Sequence, residues 1–161
     1  MDRLWSPWRY QYVTKSGHVA GCIFCTKSSE QHDDENLILY RGSRNFVLLN
    51  LYPYSTGHLM IAPYDHIAAL EPAGEPILSE MMQLARQAEI HLRKLYNPQG
   101  FNLGMNLGES AGAGVPGHIH MHVLPRWSGD TNFMTVVGET RVLPESLDVT
   151  YSKLKKAFQG N

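Results

Sequence analysis

Apolar and polar positions alternate through His118-Ile119-His120-Met121-His122-Val123-Leu124, and a period of two marks a strand with one face against a core. The same pattern predicts short strands at Leu37–Tyr40, Phe46–Asn50 and His58–Ala62. Arg41-Gly42-Ser43-Arg44 reads as the hairpin turn between the first two, and Tyr52–Gly57 as the turn before the third. From Ile77 to Tyr96 the period lengthens. There Ile77, Met81, Leu84, Ala88, Leu92 and Leu95 recur every three or four residues, which predicts an amphipathic helix ended by Pro98 and Gly100. Phe101–Leu107 predicts a fourth strand, Gly108–Gly117 a loop, and His118–Leu124 a fifth strand. Leu147, Tyr151, Leu154 and Phe158 return to helical spacing after Pro144, with lysines in the later turns where the helix dipole favours cations. Strands, a long helix and then strands predict an α+β fold with a mostly antiparallel sheet.

Composition narrows the picture. A chain of 161 residues suits one domain, here 1–161, with no repeat and no linker. Residues 1–20 form an aromatic extension expected to pack on the domain or on a partner subunit, and 139–161 form a C-terminal segment. Hydrophobic residues at 43% and charged ones at 18% describe an ordered soluble protein. A net charge of -1 gives no global field to recruit nucleic acid or an anionic membrane, so an anionic ligand must be held locally. The sequence shows neither a signal-peptide core nor an apolar run near the roughly 18 residues of a spanning helix. A cytoplasmic location with neither nucleic-acid nor membrane partner is the expectation. Both cysteines, Cys22 and Cys25, fall in one Cys-x-x-Cys, which in a reducing compartment points to a metal or redox site.

The histidines carry the chemistry. On one strand face, neighbouring rings of His118, His120 and His122 lie about 6.5 to 7 Å apart, close enough to share a phosphate or a metal ion. A neutral imidazole attacks phosphorus well when its other nitrogen is held by a partner. Flanking imidazoles can donate to phosphoryl oxygens or protonate a leaving oxygen. The small-residue loop before them lets backbone N–H groups approach an anion, with Gly112 and Gly114 as candidate positions. His-x-His on a strand is also a zinc constellation, and spacing alone leaves both chemistries open. Cys22 and Cys25 need two further ligands, with His58, His66 or a member of the histidine strand available. His91, alone on its helix, reads as a surface residue.

These residues resemble the histidine triad (HIT) superfamily, whose motif is His-φ-His-φ-His-φ-φ with φ apolar. Leu48-Leu49-Asn50, Gly57-His58-Leu59-Met60-Ile61-Ala62-Pro63 and Asn106-Leu107-Gly108 match in order, so the resemblance runs from about Cys22 to Trp127. Asn50–Tyr54, Pro125-Arg126-Trp127, Asp130–Phe133 and the aromatic N-terminus are most similar to the Fhit-like branch and to bacterial diadenosine tetraphosphate phosphorylases. The resemblance implies a five-stranded antiparallel sheet with one long helix and a C-terminal helix, paired as a homodimer. It also implies attack on a nucleotide α-phosphate through a nucleotidyl-histidine, resolved by water or phosphate. His120 would be the nucleophile, while His122 and His58 would contact phosphate or aid the leaving group. Asn106 would bind phosphate, Asn50 would hold the ribose, and Ile23, Phe24, Leu48 and Leu51 would enclose the base.

Relatives with a Cys-x-x-Cys further imply a structural zinc on Cys22, Cys25, His66 and His118, and no organic cofactor is expected. Many members carry Gln followed by Ser or Thr before the triad, where this chain has Ala113 and Gly114 and one extra residue. Hydrolysis and phosphorolysis therefore both stay open. So do an adenosine phosphoramidase, a metalloenzyme built on the triad, and a nucleotide-binding module without activity.

Overall fold

The computed structural model describes residues 21–130, 135 and 143–160. The aromatic extension 1–20 and residues 131–134, 136–142 and 161 lie outside them. Helix α1 spans Ile23–Ser29, strands β1 to β3 span Ile38–Arg41, Asn45–Leu49 and Leu59–Pro63, and helix α2 spans Glu75–Tyr96. Strand β4 covers Gly100–Gly104, β5 covers Met121–Arg126, and helix α3 covers Leu147–Phe158. The five strands form one sheet in the order β1-β2-β3-β5-β4, every neighbour antiparallel.

The period of two sorts the sheet's faces. Val47, Leu49, Leu59, Ile61 and Val123 point to one side, where Met81, Leu84, Ala88 and Leu92 of α2 and Leu154 and Phe158 of α3 complete the main core. Phe46, Leu48 and Ala62 point to the other, where Phe24 of α1 closes a smaller core. α1 covers only part of that second face. The rest of it carries His122, which pairs with Met60 on β3 and Gly104 on β4.

The β1–β2 turn is held from the long helix. The Glu80 carboxylate accepts the N–H groups of Ser43, Arg44 and Asn45 at 2.7, 2.8 and 2.8 Å and the Asn45 amide at 2.8 Å. Burial pushes its pKa up, but the Asn45 side chain and the three N–H groups outweigh burial and leave it below the ordinary value. α2 stops where Asn97 adopts a left-handed φ of 44° before Pro98. His91, expected at the surface, is half-buried, its ring 4.6 Å from that of Phe158.

Two strand boundaries differ from the sequence pattern by three residues, and for one reason. β3 ends at Pro63, which has no N–H for the ladder. The Pro63 carbonyl accepts from the His118 ring at 2.9 Å, and Ile119 donates its N–H to Ile67 instead, at 2.7 Å. β5 therefore starts at Met121 rather than His118. With its partner shortened, β4 ends at Gly104 rather than Leu107.

Candidate active site

His58 is the fixed point of the site. It follows Gly57, whose φ of +76° suits glycine and whose added Cβ would lie 2.8 Å from Leu92 Cδ2. His58 itself is 0% exposed. Its Nδ1 accepts the Tyr54 backbone N–H at 3.1 Å, with the Asn50 amide 3.3 Å away, so its proton sits on Nε2. That Nε2–H lies 2.9 Å from His122 Nδ1. His122 Nδ1 is thereby the acceptor, and the His122 proton belongs on Nε2.

His120 has the opposite tautomer. Its Nδ1 lies 2.9 Å from the His118 carbonyl oxygen, an acceptor only, so Nδ1 carries the proton and Nε2 keeps its lone pair. The rings of His120 and His122 stand nearly perpendicular with centroids 5.0 Å apart. A ring with one bare nitrogen thus stands beside a ring with one free donor position. Burial, then the charges of His122 and His120, push His58 down to about 3. Burial and then His120 push His122 down to about 4. Burial also lowers His120, against the opposing hydrogen bond to His118. All three are neutral at pH 7, which keeps the tautomers meaningful.

The third triad ring turns elsewhere. His118 Nε2–H donates to Pro63, which points Nδ1 at Cys22 Sγ, 3.2 Å away, and Cys25 Sγ, 3.6 Å away. His66 Nδ1 lies 3.4 Å from Cys25 Sγ. The four donor atoms fall within 4.8 Å of one another. Ligand pairs in a tetrahedral zinc site lie about 3.3 to 3.8 Å apart, given bonds of roughly 2.0 to 2.3 Å, so this set could hold a metal ion with small adjustment. Among the described residues it is the one such cluster, and His120 and His122 are not in it.

The remaining candidates divide between floor and rim. Phe24 is buried, its ring 5.2 Å from that of His118 and 4.8 Å from that of His120. Leu48 is 1% exposed and belongs to the small core beneath α1. Ile23 at 39% and Leu51 at 54% exposure offer apolar surface at the rim. Asn106 donates to the Gly112 carbonyl at 3.5 Å, tying the end of the β4 segment to the small-residue loop, where Gly114 is exposed. Tyr54 was invisible to sequence reasoning. It sat in a stretch read as a turn and as part of the family resemblance, with no role of its own, yet its N–H sets the His58 tautomer and its ring lies 4.8 Å from His58 and 6.3 Å from His122.

Comparison with known proteins agrees with this geometry. A family model described as HIT domain matches residues 31–129. The chain is 36% identical over 154 residues to a Mycobacterium tuberculosis protein named AP-4-A phosphorylase, covering 91% of this chain and 79% of that one. It is 26% identical over 124 residues to the asymmetrical bis(5'-nucleosyl)-tetraphosphatase of Schizosaccharomyces pombe, covering 77% and 60%. Among solved structures, a zinc-bound histidine triad family protein from Mycobacterium smegmatis superposes with a TM-score of 0.69 at 23% identity, over 87% of this chain and 94% of that one. A family model spanning all five strands, and a relative 36% identical along nearly the whole length, place the chain in the HIT family.

Proposed function

We propose that this protein is a nucleotidyl hydrolase or phosphorylase that cleaves dinucleoside polyphosphates at the α-phosphate through a nucleotidyl-His120 intermediate. The observation that carries the reading is the pair of opposite tautomers. His120 Nε2 attacks phosphorus, the N–P bond forms, and the P–O bond to the leaving nucleoside polyphosphate breaks with its electron pair on oxygen. His122 Nε2–H donates to the phosphoryl or leaving oxygen, where a developing negative charge strengthens the bond. An oxygen of water or phosphate then attacks phosphorus, an attacking water loses its proton to solvent, and the N–P bond breaks with its electron pair returning to Nε2, which regenerates His120. His58 acts from behind by holding His122. Asn106 and the amides around Gly112 and Gly114 serve the phosphates, Asn50 the ribose, and Ile23, Leu51 and Phe24 the base. The 36% identity to a protein named AP-4-A phosphorylase supports diadenosine tetraphosphate as the first substrate to try.

In the same proposal, Cys22, Cys25, His66 and His118 hold a structural zinc, which when bound supplies a rigid tetrahedral anchor and no chemistry at the phosphate. The donor set of two thiols and two imidazoles supports zinc over harder cations. A homodimer is supported by β4 at the sheet edge with Leu103 44% exposed and by Ile90 on α2 at 48%. Two free thiols are consistent with a cytoplasmic location, and among the described residues no helix is long and apolar enough to cross a membrane.

The test incubates the protein with diadenosine tetraphosphate, with and without inorganic phosphate, and resolves the nucleotides. ADP plus ATP identifies phosphorolysis, and AMP plus ATP identifies hydrolysis. Cleavage of an adenosine phosphoramidate with the dinucleotide left intact would replace this reading.

A further inference from the structure

We infer that the Cys22, Cys25, His66 and His118 cluster positions the nucleophile, so that metal occupancy governs the orientation of His120. The inference rests on reading His120 as that nucleophile. Two physical routes join cluster and ring. The first runs through His118, whose ring is committed at both nitrogens, Nδ1 toward Cys22 Sγ at 3.2 Å and Nε2–H to Pro63 at 2.9 Å. A ring held at both ends fixes its own backbone, and the His118 carbonyl receives the His120 Nδ1–H at 2.9 Å.

The second route runs through α1. Cys22 is the N-cap of that helix and Cys25 lies in its first turn, so the two thiols bracket Phe24. The Phe24 ring packs on His118 and on His120, with centroids 5.2 and 4.8 Å away. A seven-residue helix is too short to persist alone, and sulfur–imidazole hydrogen bonds are weak ties. Four metal–ligand bonds would hold α1, and with it Phe24, against the nucleophile. Loss of the metal frees both the carbonyl that selects the His120 tautomer and the ring that packs on it. His118 and Phe24 are positioning residues in this scheme, the metal site their anchor.

His66 is the ligand to change, because it is exposed and approaches the cluster from the outside through Cys25, at 3.4 Å. The expected result for His66→Ala is loss of bound metal and a kcat lowered about 10- to 100-fold, with a weaker Kd for a non-cleavable dinucleotide analogue because α1 also carries Ile23 and Phe24. The ¹⁵N signals of His120, assigned with His120→Asn, should move from one protonated and one bare nitrogen toward averaged values. His66→Cys, which restores four ligands, should recover metal, kcat and both signals. If His66→Ala does not fold, His66→Asp weakens the site without emptying it, and the His120 signals must then follow metal occupancy in a zinc titration. Unchanged His120 signals and kcat in a chain that has lost its metal would overturn the inference while leaving the proposed reaction intact. A wild-type chain that cleaves no dinucleotide would overturn the reaction, and the metal content and ¹⁵N signals would still decide the coupling.

Discussion

Acidification should destabilise this protein through His58 and His122. Both are ordinary histidines in the unfolded chain, with pKa near 6.5, and both are pushed down on folding, to about 3 and about 4. Between those values the unfolded state binds protons that the folded state refuses. Stability is therefore complete above about pH 6.5 and is lost as pH falls toward the folded values. At pH 5 each unfolded histidine is almost fully protonated and each folded one still neutral, which removes about 2 kcal/mol per group relative to pH 8 and about 4 kcal/mol for the pair. The figure depends mainly on the unfolded pKa so long as the folded one stays below 5. The assay is urea unfolding at pH 8, 7, 6 and 5 for wild type and for His58→Gln, which cannot titrate. Any metal released in acid would affect both chains alike, so the difference between them isolates His58. The variant should lose about 2 kcal/mol less than wild type over this range. Curves that run parallel from pH 8 to pH 5 would refute the claim that His58 is held neutral behind His122.

Other consequences follow from single contacts. Gly57→Ala forces a Cβ to 2.8 Å from Leu92 Cδ2 at a φ of +76°, and its urea midpoint should fall by an amount equal to about 1 to 3 kcal/mol. Glu80→Ala strips the β1–β2 turn of its acceptor and should destabilise by about 2 to 3 kcal/mol. Elemental analysis of the purified protein should find one zinc per chain, and Cys25→Ser should reduce it sharply.

Much of this molecule was legible in its sequence, because alternation and helical spacing report burial directly. The hairpin at Arg41–Arg44, the long helix and the C-terminal helix all formed where periodicity put them. What periodicity could not report was where a ladder stops. A strand pattern beginning at His118 gives no hint that Pro63, fifty-five residues earlier, denies it a partner and captures its ring. Hence three rings that spacing made equivalent have three fates: His118 at the thiols, His120 with a bare nitrogen, His122 with a donor. Spacing left a triad-bound metal open, and the structure instead groups His118 with Cys22, Cys25 and His66. The tautomers lay beyond the sequence altogether, since they depend on a carbonyl and an amide, which every residue has, being aimed at particular nitrogens. Tyr54 was missed for that reason, its N–H mattering more than its side chain.

The central claim is that His120 Nε2 forms a bond to phosphorus. Mixing the protein with diadenosine tetraphosphate, quenching in base within the first turnovers and mapping peptides by mass spectrometry tests it directly. The expected result is one adenylyl group on the peptide that carries His120, absent from His120→Ala, whose turnover is abolished. An adenylyl group on another residue, or near-native turnover by His120→Ala, would contradict it.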